Sequence, residues 1–216
     1  MTDDRLKKES LELIASSKLV FWDFDGVIKD SVGVKGSVFI DIFYGCSLDV
    51  KDKINEHHLM NGGMSRYEKI PLYMRWGGIE VTPSRVQQYC HEFSRLSIAK
   101  VVSAPWIDGA KEYIEAHAKK QILYIVSATP QQEIVSILKS LKIAHYFTGI
   151  VGSPCSKKRA IMNTLKIENI LPYDSVFIGD SRLDYESAIS CGIPFVLRSE
   201  KAEHAIKSTF ILPNFS

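Results

Sequence analysis

The stretch LVFWDFDGVIKDS, residues 19 to 31, carries the fold in its first half and the chemistry in its second. Leu19, Val20, Phe21 and Trp22 form an unbroken apolar run. A strand with one face in water alternates apolar and polar residues. A continuous run suits a strand covered on both faces, as in a parallel sheet. The run then ends in two aspartates, Asp23 and Asp25, one residue apart, followed by Gly26. Burying a carboxylate costs free energy unless charge or hydrogen bonds compensate. The pair is therefore either a plain strand-to-turn boundary or a pair of carboxylates held there for chemistry.

Working outward, similar apolar runs recur at 121–127 (QILYIVS), 175–179 (SVFIG) and 194–198 (PFVLR), with a shorter one in 147–153 (FTGIVGS). Helical patterns separate them, at 109–120, 131–143, 157–167 and 184–192. Cys191-Gly192-Ile193-Pro194 reads as a helix stop before a strand. Strands alternating with helices argue for an open α/β sheet. Residues 4–16 predict a further helix ahead of the first strand. The section from 32 to 103 differs. It is helical by pattern, shows no clear strand, and breaks at Gly62-Gly63, Gly77-Gly78 and Pro83. The expected organisation is a three-layer, Rossmann-like α/β core from residues 1–30 and 104–216. A helical cap of residues 31–103 is inserted just after the first strand. Ligands in open α/β sheets bind at the strands' C-terminal ends, so such an insert is placed to act as a lid.

The 216 residues are 45% hydrophobic and 24% charged, with a net charge of +2. That balance points to neither a nucleic-acid nor a membrane partner. The four cysteines, Cys46, Cys90, Cys155 and Cys191, form no CxxC pair. This argues against a zinc site or disulfide framework and for a reducing compartment. The charged N-terminal stretch lacks the apolar segment of a signal peptide, and no apolar run is long enough to span a bilayer. The expectation is a cytoplasmic protein. The oligomeric state is left open.

If the sheet is as read, its strand ends carry polar groups in series: Asp23 and Asp25, then Ser127, then Lys157 and Lys158 at a helix start, then Asp180 and Asp184. Each has an ordinary structural reading. Asp and Gly form turns, Ser and Asp cap helices, and lysine pairs sit on solvated faces. Taken together and in this order, the series resembles the haloacid dehalogenase superfamily of phosphohydrolases over nearly the whole chain. DFDGV resembles its first motif. Ser127 in IVSAT resembles the second. Lys157, four residues before Ile161, resembles the third, with Lys158 as the neighbouring alternative. GDSRLD, residues 179–184, resembles the fourth. The helical insert resembles the cap of the phosphoglycolate phosphatase and β-phosphoglucomutase subgroup. Its NGGMSRYEKI segment resembles the substrate-facing loop, with Arg66 toward substrate.

The resemblance implies an enzyme that hydrolyses a small phosphorylated metabolite through an aspartyl-phosphate. The substrate would be a sugar or polyol phosphate, or a phosphoglycolate-like acid. It implies Asp23 as nucleophile and Asp25 as general acid and base. Ser127 would donate to the phosphoryl group and Lys157 would neutralise charge. Gly26, Ala128, Arg66 and Lys158 would contribute to substrate binding, with backbone N–H groups around Phe24, Asp25 and Ala128 cradling phosphate oxygens. Mg²⁺ would be held by Asp23, the Asp25 carbonyl, Asp180 and Asp184. The electrostatics agree. A like-charge pair at 4 Å costs about 4 kcal/mol at an effective dielectric of 20, so several carboxylates plus a phosphate call for a hard divalent cation. A phosphomutase of the β-phosphoglucomutase type is the alternative enzyme, and a non-catalytic phosphate-binding protein the alternative class. Asp30-Ser31 reads as a hinge and helix cap, and Asp108-Gly109 as a turn. His57-His58 reads as packing or surface, and Cys155 as an ordinary thiol. Most of Tyr67, Tyr73, Trp76 and Tyr89 read as core of the insert.

Overall fold

A computed structural model describes residues 2–200 and 210–216. Among these residues six strands form one sheet: β1 Leu19–Trp22, β2 Ile122–Pro130, β3 Gly149–Ser153, β4 Ser175–Gly179, β5 Phe195–Arg198 and β6 Phe210–Leu212. Their spatial order is β3-β2-β1-β4-β5-β6, and every pairing is parallel. The apolar strand at 19–22 is thus central, with β2 on one side and β4 on the other.

The pleat explains why these runs do not alternate. Val20, Trp22, Leu123, Ile125, Val176, Ile178 and Val196 point to one face. There they meet Ile14 of α1 (Thr2–Ser16), Ile114 of α6 (Ala110–His117) and Ile134 and Ile137 of α7 (Gln131–Ser140). Leu19, Phe21, Tyr124, Val126, Phe177, Phe195 and Leu197 point to the other. They meet Ala160 and Ile161 of α8 (Lys157–Glu168) and Ala188 of α9 (Arg182–Ser190). Successive side chains leave a strand on opposite faces, so a sheet with helices on both faces needs apolar residues at every position. Three layers result, as expected.

Two elements go beyond the sequence reading. β6 is a sixth strand that the pattern did not signal. The N-terminal helix, whose placement the sequence left open, packs along it. Ser10 donates to the Ile211 carbonyl at 3.0 Å and Lys7 donates to Asn214 Oδ1 at 2.7 Å. β2 also runs three residues past the predicted end, to Pro130. Its register against β3 shifts between Val126 and Pro130, which sets Ser127, Ala128 and Thr129 in an irregular stretch at the C-terminal end of the strand.

Between β1 and α6 lie four helices: α2 (Val32–Ile42), α3 (Leu48–Met60), α4 (Arg66–Trp76) and α5 (Pro83–Ser103). They enclose an apolar cluster of their own, built on Val38, Phe39, Phe43, Ile54, Tyr73, Met74 and Phe93. The chain enters and leaves this group on adjacent segments. Lys29 pairs antiparallel with Trp106, and its ammonium lies 4.5 Å from the Trp106 ring. Among the described residues, no helix is long and apolar enough to cross a membrane.

Candidate active site

The polar groups gather at the C-terminal end of β1, between β2 and β4. This is where the strand order reverses and where open α/β sheets bind ligands. Asp23 follows β1 directly and is buried. Its Oδ2 lies 3.1 Å from Lys157 Nζ, while its Oδ1 is buried with no hydrogen-bond partner among the described residues. Lys157 opens α8, where Ser156 caps the helix, and its ammonium also pairs with Asp184. Asp184 is the third residue of α9. Its second oxygen accepts from the Ser181 N–H at 3.1 Å and the Ser181 hydroxyl at 2.6 Å, closing a capping box that fixes its rotamer. Lys158 is exposed, so of the two neighbouring lysines it is Lys157 that enters the site.

Asp23, Asp180 and Asp184 present oxygens that all lie within 4.8 Å of one another. Burial, and the neighbouring carboxylates, push Asp23 and Asp180 above the usual carboxylate range; Lys157 only partly offsets this. Such a cluster suits a hard divalent cation. The unpartnered Asp23 Oδ1 gives that cation a ligand atom otherwise left desolvated without compensation. The donor set therefore fits Mg²⁺. Gly26 makes the geometry possible. Its φ is +76°, and a side chain there would overlap the Asp180 carboxylate.

Asp25 stands apart from this group. Its Oδ2 pairs with Lys35 Nζ of α2 at 2.5 Å, and its Oδ1 accepts from Ser31 at 2.6 Å. Burial raises the carboxyl, but the charge and hydrogen bond of Lys35 and the Ser31 hydroxyl outweigh it and hold it below the usual range. Ser31, expected to cap α2, has no capping bond and serves Asp25 instead. Lys35 also donates to Thr129 Oγ1 at 2.8 Å. Ser127 is buried. Its oxygen accepts from the Thr129 N–H at 3.1 Å, which leaves the hydroxyl proton able to point at a bound phosphoryl oxygen.

A cavity of about 30 Å³ lies between Asp25 and the helical group. Its lining includes Lys35, Phe39, His58, Arg66, Lys69, Phe93, Ala128 and Thr129. The 61–64 turn closes over it, with Gly63 so near Ser181 and Leu183 that a side chain there would clash. Arg66, expected to face substrate, lines this cavity, but its guanidinium is not free. It is held in a bidentate pair by Glu133 of α7, at 2.5 and 2.9 Å, with Ser94 at 2.7 Å and the Phe93 ring beneath it. The aromatic wall is Phe39 and Phe93. Tyr73 belongs to the core of the helical group, and Tyr67 is exposed. The residues that line or brace this cavity and that the sequence reading missed are Lys35, Thr129, Glu133, Lys69 and His58. The last was read as packing.

This geometry can be set beside known proteins. The phosphoglycolate phosphatase of Pseudomonas fluorescens is 26% identical over 102 residues, a match covering 44% of this chain and 38% of that protein. The chain thus spans well under half the length of that curated relative. Among solved structures, a mutant of CbbY of Rhodobacter sphaeroides, in complex with xylulose-(1,5)bisphosphate, is 12% identical with a TM-score of 0.75. That match covers 92% of this chain and 95% of that one. The putative HAD-hydrolase YfnB of Bacillus subtilis, bound to magnesium, is 16% identical with a TM-score of 0.69 over 92% and 95%. Both share the fold. The model of the haloacid dehalogenase-like hydrolases matches residues 20–197, from β1 into β5. The chain belongs to the haloacid dehalogenase-like hydrolase family.

Proposed function

We propose that this protein is a Mg²⁺-dependent phosphatase of a small phosphorylated metabolite, with residues 31–103 acting as its cap and Asp23 as its nucleophile. The observation that carries the reading is Asp23 Oδ1. It is a buried carboxylate oxygen without a hydrogen-bond partner among the described residues, at the end of the central strand, flanked by Lys157 and two further carboxylates. Mg²⁺ held by Asp23, Asp180 and the Asp25 carbonyl would offset the charge of the phosphate and polarise its oxygens. Asp184 both orients Lys157 and supports the metal side.

The chain's own residues do the rest. Asp23 forms an oxygen–phosphorus bond as the ester bond breaks. Asp25, held as a carboxylate by Lys35 and Ser31 in the resting site, takes up the proton of the phosphate monoanion and gives it to the leaving oxygen; it then takes one from the water that hydrolyses the aspartyl-phosphate and passes it to the departing phosphate. Alcohol and inorganic phosphate leave, and both carboxyl groups return to their starting state. Ser127, the Ala128 N–H and Lys157 hold the equatorial oxygens, which is most of what a loose phosphoryl transition state needs. The named activity of the Pseudomonas relative and the magnesium in the Bacillus structure agree with this reading.

The test is phosphate release from p-nitrophenyl phosphate and a panel of metabolite monophosphates, with Mg²⁺ and with EDTA. Release should need Mg²⁺ and vanish in Asp23→Asn. Release that survives in Asp23→Asn would assign the nucleophile elsewhere. A folded protein silent on the whole panel would favour the mutase or binding alternatives.

A further inference from the structure

The cavity beside Asp25 shares the phosphoryl position with a second opening. A groove of about 540 Å³ runs between the 63–68 segment and the loop ahead of α8, against about 30 Å³ for the cavity. Ala128 lines both. The 62–66 segment is the wall between them: Gly62, Met64 and Arg66 line the cavity, and Gly63 and Ser65 line the groove. One side of this wall holds Asp25, where the leaving oxygen departs. The other holds Ser127 and Lys157, which grip the phosphoryl oxygens.

The groove starts at Ser127 and Lys157, both buried, and ends in water at Pro154, Lys158 and Ser190, all exposed. Hydroxyls line the way. Ser65 and Ser153 join its two walls at 2.9 Å. That bond uses one of their two protons, so the other is left to donate. Ser156 accepts from the Arg159 N–H at 3.3 Å and keeps its own proton to donate. Lys158 adds a positive charge at the mouth. Of the two acids there, Glu186 is paired with Arg182 at 2.7 Å, and Glu68 stands exposed at the rim. Donors thus follow one another from the phosphoryl position to solvent, as a small oxyanion needs. The 61–64 turn is shut over the cavity, with Gly63 against Ser181 and Leu183, while the groove stays open.

We infer that this groove is an exit for inorganic phosphate, used while the helical group is closed over Asp25. The inference rests on the proposed phosphatase reading. The alcohol departs on the Asp25 side before water attacks. The phosphate formed afterwards lies against Ser127 and Lys157, at the inner end of the groove.

Cys155 lines the groove and offers a reversible plug for the test. In a Cys46→Ser, Cys191→Ser protein, a bulky aryl methanethiosulfonate forms a mixed disulfide with Cys155, and dithiothreitol removes it. Cys90 is buried. Phosphate bound to the Mg²⁺-loaded protein is chased into a fluorescent phosphate sensor, which reads its dissociation directly. Release of p-nitrophenol in a single turnover reads the chemistry. The plug should slow phosphate dissociation by about tenfold or more and leave the single turnover within about twofold, and dithiothreitol should restore dissociation. Lys158→Glu should slow phosphate association by about fivefold at low salt, an effect that fades as salt rises.

Dissociation unmoved by the plug would overturn the exit and send phosphate out past Asp25. A single turnover slowed as much as dissociation would also overturn it, because the groove would then be the way in for substrate. Failure of the phosphatase reading looks different. It would show as no Mg²⁺-dependent release of p-nitrophenol, with the dissociation of bound phosphate still deciding the groove. A folded protein that binds no phosphate would overturn both.

Discussion

Replacing Glu133 by Gln removes one negative charge and almost no volume. The structure sets the expected cost. Glu133 and Arg66 are 6% and 4% exposed, and two N–H···O bonds join them. After the change the guanidinium stays buried, with Ser94, the Phe93 ring and a neutral amide for company. Breaking a buried pair by removing one partner costs about 3–5 kcal/mol, because the other charge is left uncompensated. In a domain of this size each kcal/mol moves Tm by about 2–4 °C, so a fall of roughly 10 °C is expected. The pair also joins α4 of the helical group to α7 of the core, so its loss acts on both. Urea unfolding followed by far-UV dichroism and by tryptophan fluorescence gives the free energy, provided the two transitions coincide. The double change Arg66→Met with Glu133→Leu removes both charges and should cost less than the sum of the two single changes, by about 3 kcal/mol. A Glu133→Gln protein within about 1 kcal/mol of wild type would refute the reasoning. It would mean that water reaches the guanidinium and that the contact is not a buried one.

Gly26→Ala forces a side chain into left-handed backbone, at about 1–2 kcal/mol, and into the Asp180 carboxylate, so phosphate release should fall far more than stability does; unchanged release would rule out so close an approach. Lys157→Met leaves Asp23 and Asp184 without their cation and should destabilise by about 3–5 kcal/mol in EDTA, whereas Lys158→Met, on an exposed lysine, should stay within about 0.5 kcal/mol. Burial, helped by Lys69, holds His58 down at about 4 against an ordinary 6.5. Between those values the unfolded chain binds the proton better, so stability falls as pH drops through the window, by about 3 kcal/mol in full. His58→Gln, which keeps a donor for the Val32 carbonyl, should lack this component. The difference between the two proteins' unfolding free energies at about pH 7.5 and about pH 4 measures it, and a difference that does not change with pH would contradict it.

The central strand was legible because its constraint is local: apolar residues at every position can only mean two covered faces. The strand-end carboxylates were legible because they follow such a strand directly. The choice of Lys157 over Lys158 was also within reach, since Lys157 leads the buried stripe of Ala160, Ile161 and Thr164 at helical spacing. Lys35 and Lys69 were not legible. A lysine in a helix ordinarily faces water, and only tertiary packing buries these two, Lys35 against Asp25 and Thr129 and Lys69 against His58 and Phe39. The Arg66–Glu133 pair spans 67 positions, and no periodicity links its members. Arg66 was placed at the cavity for a sound reason, but the sequence carried no sign of the carboxylate that would claim it. β6 is only three residues long, too short for Phe210, Ile211 and Leu212 to stand out as a strand.

The two halves of the site differ in charge balance, and Glu133 stands between them. On the core side Asp23, Asp180 and Asp184 outnumber Lys157 and call for a cation. On the helical side Lys35 is paired with Asp25, and burial, with Lys35 nearby, pushes Lys69 down to about 7. Glu133 keeps Arg66, which lines the same cavity, from adding free positive charge to it. Glu133→Gln should then do two opposite things. It lowers stability, as worked out above, and it frees a guanidinium beside the two lysines. A freed Arg66 adds positive charge to this cavity, and the preference for phosphoglycolate over the uncharged-tailed ethyl phosphate should rise by about three- to tenfold. The ratio of kcat/KM values measured at a temperature where both proteins are folded isolates this from the stability loss. A ratio that falls instead would show that the pair serves to position the helices over Asp25, and that charge in this cavity is secondary to closure.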